Sequence, residues 1–220
     1  MKKCVIFDLD GTITNTVPDI EDNVNKTMRK FGYPEITADE ARRFVGNGAR
    51  VLIERSLKGA MPDNFDEIVK FYNDSYNFCG SPKTRVYDGM TELPKRLKKE
   101  GYLTAVVSNK PQDGTTEVIR KFFGDGVFDY VYGQREGVKT KPDKEPVEIV
   151  LKALNVEKRE AVYVGDSEVD TLTAHNSGLF GINVLWGFRE KELLEKNGAT
   201  VFASTADELY ELIENYFENL

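Results

Sequence analysis

Apolar and polar positions fall into two regimes along this chain. From about residue 103 onward, short apolar, β-rich runs at 103–107, 130–132, 161–164 and 182–185, with 200–202 a shorter candidate, alternate with stretches whose apolar residues recur at helical spacing. Those stretches predict helices over 90–99, 115–123, 146–154, 169–177, 191–196 and 207–217. Another apolar run, 5–7, predicts a buried strand near the start. Between 19 and 80 the spacing is helical throughout, with candidates at 20–31, 38–44, 49–57 and 65–78. Turn signals at Tyr33-Pro34, Gly46-Asn47-Gly48 and Gly80-Ser81-Pro82 separate these pieces. Alternating strand and helix predicts an α/β fold with a doubly wound parallel sheet and right-handed crossovers. The helical block directly after the first strand reads as an inserted cap over the strand ends. The expected organisation is a catalytic core from 1–15 and 82–220 and a helical cap domain at 16–81, with a hinge near 15–17 and 80–83.

Ligands of such sheets bind where the strands end. The first run closes on Asp8-Leu9-Asp10-Gly11-Thr12, which puts two carboxylates on one side of the backbone. Adjacent carboxylates repel unless a cation or a shared proton joins them, so the pair implies Mg²⁺ or a division of labour between a base and an acid. The plainer reading is a strand-end Asp-Gly turn. The 103–107 run closes on Ser108-Asn109-Lys110, a hydroxyl, an amide and an amine suited to phosphate, or simply a helix cap or turn. Lys141 precedes a proline that holds the local backbone outside a helix, and alone it would be an ordinary surface lysine. The 161–164 run ends in Gly165-Asp166-Ser167-Glu168-Val169-Asp170. Asp166 at a strand end can ligate Mg²⁺. Asp170, in the first turn of the next helix, is placed to orient the metal's waters or Lys141, unless it is only an acid favoured at a helix N-terminus.

Composition narrows the chemistry. At 220 residues the chain can bury a proper core. Its two cysteines, Cys4 and Cys79, are far apart and read as reduced thiols of a cytoplasmic protein. His175 is the sole histidine, which excludes Ser-His-Asp catalysis and a histidine-rich metal site and leaves it a helix-surface residue. The apolar stretch before Asp8 is too short for a signal peptide, and no run approaches membrane-spanning length, so no membrane partner is expected. A net charge of −7 argues against a nucleic-acid partner. Residues 29–58 nonetheless carry seven basic against four acidic side chains, either a solvated helical face or an aid to anion capture.

Taken together and in order, these segments resemble the haloacid dehalogenase superfamily of phosphohydrolases. Asp8 to Thr12 matches its first motif, Ser108 the second, Lys141 the third and Gly165 to Asp170 the fourth, and the helical insertion resembles its helical cap. The resemblance implies a Rossmann-like core and a Mg²⁺-dependent phosphatase working through an aspartyl-phosphate. Asp8 is then the nucleophile and Asp10 the acid and base, with Thr12 orienting Asp10. The metal set is Asp8, Asp166 and the backbone carbonyl of Asp10, supported by Asp170. Ser108, Asn109, Lys141 and loop amides near Leu9 and Asp10 hold the phosphoryl oxygens. Phe44 to Leu57, Ser108 to Pro111 and Val184 to Phe188 are further similar to phosphoglycolate phosphatases, although Lys144 stands where a second proline is usual. This implies a small phosphorylated metabolite, 2-phosphoglycolate first, with its phosphate on the core and its carboxylate under the cap. Gly48 then lets the backbone approach the ligand and Arg50 takes the second charge, or the glycines only shape a turn. Pyrophosphatases and sugar-phosphate mutases share the scaffold. Thr12, where mutases often carry valine, favours a hydrolase, and the intact Asp8–Asp10 pair counts against dehalogenation. A monomer or homodimer is expected.

Overall fold

A computed structural model describes residues 2–76 and 82–220. Along the chain, β1 (Cys4–Phe7) and the short β2 (Thr14–Asn15) lead into α1 (Val17–Phe31), α2 (Ala38–Phe44), α3 (Ala49–Ser56) and α4 (Phe65–Ser75). The chain returns through β3 (Arg85–Val86) and α5 (Leu93–Lys99). Strand and helix then alternate: β4 (Leu103–Pro111), α6 (Gln112–Phe123), β5 (Tyr130–Gln134), α7 (Glu145–Leu154), β6 (Ala161–Gly165), α8 (Glu168–Ser177), β7 (Phe180–Val184), α9 (Lys191–Lys196), β8 (Phe202–Ala203) and α10 (Ala206–Glu218). Six strands form a parallel sheet in the order β5-β4-β1-β6-β7-β8.

Strand β1 is apolar at every position because both faces of the sheet are covered. Its alternation sends Val5 and Phe7 into a cluster with Leu97, Val118 and Ile213 from α5, α6 and α10. Cys4 and Ile6 join Val147, Val150 and Ala174 from α7 and α8 on the other face. Phe7 stands level with Val106 on one side and Val164 on the other. Asp8, one residue on, and Ser108 and Asp166, two residues on, therefore emerge at one edge. That edge is also where the chain order reverses about β1, the place where such sheets open a crevice.

Helices α1 to α4 pack against one another around their own core of Val24, Met28, Ile53 and Ile68, which also receives Phe188 from the segment after β7. Helix α2 starts on a capping box in which Thr37 and Glu40 satisfy each other's backbone N–H groups. The Asn25 side chain brackets Ile36 through both its backbone N–H, at 2.8 Å, and its carbonyl, at 2.9 Å. This fixes the α1–α2 loop.

Several boundaries differ from the expectations. β4 continues to Pro111 because pairing with β5 resumes after a register shift at Pro111 and Gln134. α1 begins at Val17, with Pro18 in its first turn. α4 ends at Ser75, and the positions expected to continue it, 77 and 78, lie outside the described residues, as do Cys79 and the turn and hinge positions 80 and 81. The antiparallel β2–β3 ribbon has no counterpart in the sequence reading, since two residues per strand give no periodicity. His175 is exposed on α8 as expected. Cys4 is free, and burial pushes its thiol up to about 12. Among the described residues no helix is long and apolar enough to cross a membrane.

Candidate active site

The Asp8 backbone N–H is held by the Val164 carbonyl at 2.9 Å, which continues the sheet into the site. The chain then turns back on itself, with the Thr14 N–H on the Leu9 carbonyl and the Gly11 N–H on the Thr14 carbonyl. Gly11 has a φ of 99°, and a Cβ there would overlap the Asp166 carboxylate. A glycine is required on both counts.

Lys141 is the hub of the buried floor, 3% exposed. Its ammonium lies 2.6 Å from Asp8 Oδ1, 2.8 Å from Asp170 Oδ1 and 3.0 Å from the Tyr163 hydroxyl. The other Asp170 oxygen accepts from the Ser167 hydroxyl at 2.6 Å and the Ser167 N–H at 3.2 Å, which closes a capping box on α8. Asp170 thus caps its helix and holds Lys141 at once. Asp166 Oδ2 accepts from the Phe188 N–H at 2.7 Å and Oδ1 from the Thr12 hydroxyl at 3.0 Å.

Burial, reinforced by Asp170 and Asp166 and opposed by Lys141, holds the Asp8 carboxyl well above the usual carboxylate range. Burial with the nearby Asp170 pushes Asp166 up to about 7. Burial opposes the charge on Lys141, but Asp170 and Asp8 outweigh it and keep the ammonium firmly protonated. Asp8, Asp166 and Asp170 bring ligand oxygens within 4.8 Å of one another. Three ionised carboxylates against one ammonium leave two negative charges, the amount one divalent cation neutralises. An all-oxygen donor set suits Mg²⁺.

Asp10 is separate from this cluster. Its carboxylate turns to Lys110, whose ammonium lies 2.9 and 3.0 Å from the two oxygens. Both side chains are largely buried, 5% exposed for Lys110 and 12% for Asp10. Only the Asp10 backbone carbonyl is therefore left for the metal role expected of that residue. A pocket opens above, lined below by Asp8, Asp10, Ser108, Asn109 and Lys110 and above by Ile20, Val45, Leu52, Tyr72 and Tyr76 from the helical insertion.

Three expected site residues have other partners in the structure. Thr12 was expected to orient Asp10, but beyond the Gly11 turn it folds back towards β6, and its hydroxyl donates to Asp166. Asn109 was expected to contact phosphate. It does line the pocket, and its carboxamide donates to the Gly46 and Lys141 carbonyls at 2.9 and 3.0 Å and accepts from the Lys141 N–H at 2.9 Å, bracing one loop against another. Arg50 was expected to face the substrate, yet its side chain is 62% exposed, pairs with Asp66 at 2.6 Å and lies over the Phe65 ring. The phase of α3 explains this. Ala49 and Leu52 turn towards the pocket, which rotates position 50 about 100° away. Gly48, at the N-cap of α3 with a φ of 86°, does line the pocket, as does Ser108, whose hydroxyl accepts from the Lys110 N–H at 3.2 Å.

Two groups escaped the sequence reading. Arg189 is buried between core and insertion. It pairs with Glu168 at 2.7 Å and donates to the carbonyls of Arg42 and Val45, each at 2.7 Å, and of Arg43 at 3.4 Å. It thereby satisfies carbonyls at the C-terminal end of α2. The available signal was faint: the residue directly after α2 is Val45, in extended backbone, where a left-handed glycine is customary. Asp19, buried in α1, accepts from the Thr84 N–H and hydroxyl at 2.6 Å each and from the Lys83 N–H at 3.3 Å, clasping the two connections of the insertion together.

A family profile described as haloacid dehalogenase-like hydrolase matches residues 5–184. The chain is 34% identical to a phosphoglycolate phosphatase of Cereibacter sphaeroides, over 95% of this chain and 96% of that one. It is 32% identical to a phosphoglycolate phosphatase of Psychrobacter arcticus, over 85% of each. A candidate phosphoglycolate phosphatase of Lactobacillus delbrueckii subsp. bulgaricus, solved as a crystal structure, superposes with a TM-score of 0.89 at 32% identity, covering 97% of this chain and 99% of the other. Motif order, site geometry and these likenesses agree, and the chain belongs to the haloacid dehalogenase-like hydrolases.

Proposed function

We propose that this enzyme, a phosphoric monoester hydrolase, acts on a small phosphomonoester, 2-phosphoglycolate first among them, with Mg²⁺ as cofactor and an aspartyl-phosphate intermediate. The observation that carries the reading is the separation of the two strand-end carboxylates. Asp8 is buried against Lys141 and the acidic cluster, whereas Asp10 stands apart beside Lys110 at the pocket. Two carboxyls of one motif thereby have different surroundings, and a cation bound beside Asp8 would keep it ionised, as a nucleophile requires, while Asp10 stays clear of that cation as a proton carrier.

In the first half-reaction an Asp8 oxygen attacks phosphorus while the bond to the leaving oxygen breaks, and a protonated Asp10 delivers its proton to that oxygen. In the second, Asp10 takes a proton from a water that attacks the same phosphorus. The Asp8–phosphorus bond breaks, inorganic phosphate leaves and the carboxylate is restored. Lys141 orients Asp8 through an N–H that turns to a phosphoryl oxygen once the phosphate is on Asp8, and the Ser108 hydroxyl donates to another. Asp8, Asp166 and the Asp10 carbonyl would hold Mg²⁺, with Asp170 behind them. Bound there, it supplies positive charge that offsets the carboxylates and the phosphoryl group. The chain from 16 to 81 forms the cap and the remainder the core, a division supported by the separate apolar cluster of α1 to α4. The names of the relatives support the choice of substrate.

The test is Mg²⁺-dependent phosphate release from 2-phosphoglycolate, pyrophosphate, glucose phosphates and nucleoside monophosphates, compared by kcat/KM. A clear preference for 2-phosphoglycolate is expected. A preference for another phosphate overturns the substrate, and failure to release phosphate from any of them overturns the reading.

A further inference from the structure

Charge is unevenly spread around the pocket. The insertion contributes a lining that is apolar and aromatic apart from the uncharged Asn73 and backbone at two glycines, and Arg50 lies outside it. Lys141 is committed beneath the pocket to Asp8 and Asp170. Among the described residues that line the pocket, Lys110 is the one that carries positive charge. Its ammonium sits 2.9 and 3.0 Å from the Asp10 oxygens and 5.3 Å from the centre of the Tyr76 ring.

That position is defined relative to the reaction. A leaving oxygen that receives its proton from Asp10 lies about 2.7 Å from it. Atoms one or two bonds further along the leaving group then fall within a short pivot of the Lys110 ammonium, a compact charge on a flexible stem. We infer that Lys110 is the specificity-determining residue for the leaving group and pairs with a carboxylate carried next to the ester carbon. This rests on the proposed reading that Asp10 faces the leaving oxygen. On substrate binding the ammonium exchanges part of its contact with Asp10 for the substrate carboxylate. The aromatic lining above keeps water from the new pair and strengthens it. A carboxylate several bonds further away lies beyond the pivot, so the pocket favours two-carbon acids and their close relatives.

The test compares two non-hydrolysable analogues, 3-phosphonopropionate and propylphosphonate, which differ in the carboxylate. Their inhibition constants are measured against p-nitrophenyl phosphate hydrolysis in the wild type, Lys110→Met and Lys110→Arg. Their dissociation constants are measured by calorimetry in the same three proteins, which keeps the comparison independent of turnover. The wild type is expected to prefer 3-phosphonopropionate about 10- to 100-fold, the yield of a charge-assisted contact. Lys110→Met should bring the ratio near one, and Lys110→Arg should retain part of it. Because the readout is a ratio, a general loss of activity cancels. A wild type without preference, or a preference that survives in Lys110→Met, overturns the inference. A substrate panel that passes over 2-phosphoglycolate, alongside a Lys110-dependent ratio, overturns the substrate reading and leaves Lys110 in place. The reverse pattern removes Lys110 and keeps the substrate.

Discussion

The lower and upper walls of the pocket tie their polar groups in opposite ways. Below, Lys141 is held by Asp8, Asp170 and Tyr163, and Asp170 is held in turn by Ser167. Each group fixes the next, from the end of β1, from β6, from the first turn of α8 and from the loop before α7. Above, the helices meet the pocket with Ile20, Val45, Leu52 and two tyrosines, and their polar ties to the core lie around the edge, at Arg189, Asn109 and Asp19. Groups that stabilise developing charge work best when preorganised. In the proposed reading the upper wall is a lid that has to move to admit substrate and exclude water, and a few polar ties at its edge, together with an apolar face, suit this. The two walls thus divide chemistry from access.

The largest test of this division lies in the lower wall. Asp8→Asn removes the nucleophile with little change in shape, and kcat should fall at least 10⁴-fold, roughly the cost of losing a nucleophile elsewhere. An unaltered circular dichroism spectrum would show that the fold survives, and a near-normal rate would remove the assignment. Chelation of metal comes next, with an expected loss of about 100-fold or more in phosphate release. It also carries a pH signature. Asp166 rises from 3.8 to about 7 through burial, so between those values the folded protein binds more protons than the unfolded one. Stability of the metal-free protein should therefore fall as pH rises through that window. Mg²⁺ competes with those protons, so the melting temperature it adds should grow with pH. An increment that is independent of pH would contradict a metal site that includes Asp166.

The upper wall predicts smaller effects of a different kind. Arg189→Ala strips the C-terminal carbonyls of α2 of their donor and leaves Glu168 without its partner. Unfolding free energy should drop by about 2–4 kcal/mol, and kcat/KM by about tenfold as closure weakens. Equal urea midpoints for variant and wild type would show that this tie carries no load. Smallest of all, Arg50→Ala removes an exposed ion pair and should leave kcat/KM within about twofold and the melting temperature within about 2 °C. A large loss there would restore Arg50 to the pocket.

The lower wall was legible because its parts are local. A short apolar run ending in Asp-x-Asp, or in Gly-Asp with a second acid four residues on, carries its meaning within ten residues, and the parallel sheet brings such ends together. The partners across the site were not legible. The Asp10–Lys110 and Thr12–Asp166 pairs join positions 100 and 154 residues apart. Which way Thr12 faces depends on the Gly11 turn, where the close approach of Asp166 leaves room only for a glycine. Arg50 shows the limit for a helix, where composition gives the element but the facing follows from which stripe packs. Arg189 recognises backbone carbonyls, which no side-chain pattern can announce.

The paired β2 and β3 strands have a consequence beyond the site. Thr14 lies opposite Val86 and Asn15 opposite Arg85, so the chain leaves the sheet scaffold and comes back to it at neighbouring points. Facing residues of such a ladder are about 5 Å apart, a gap that a tight hairpin turn spans. The four helices are thus spliced in at a single seam. Excising them and closing the seam with a turn should yield a folded, unlidded scaffold, and a different helical block could be grafted at the same place.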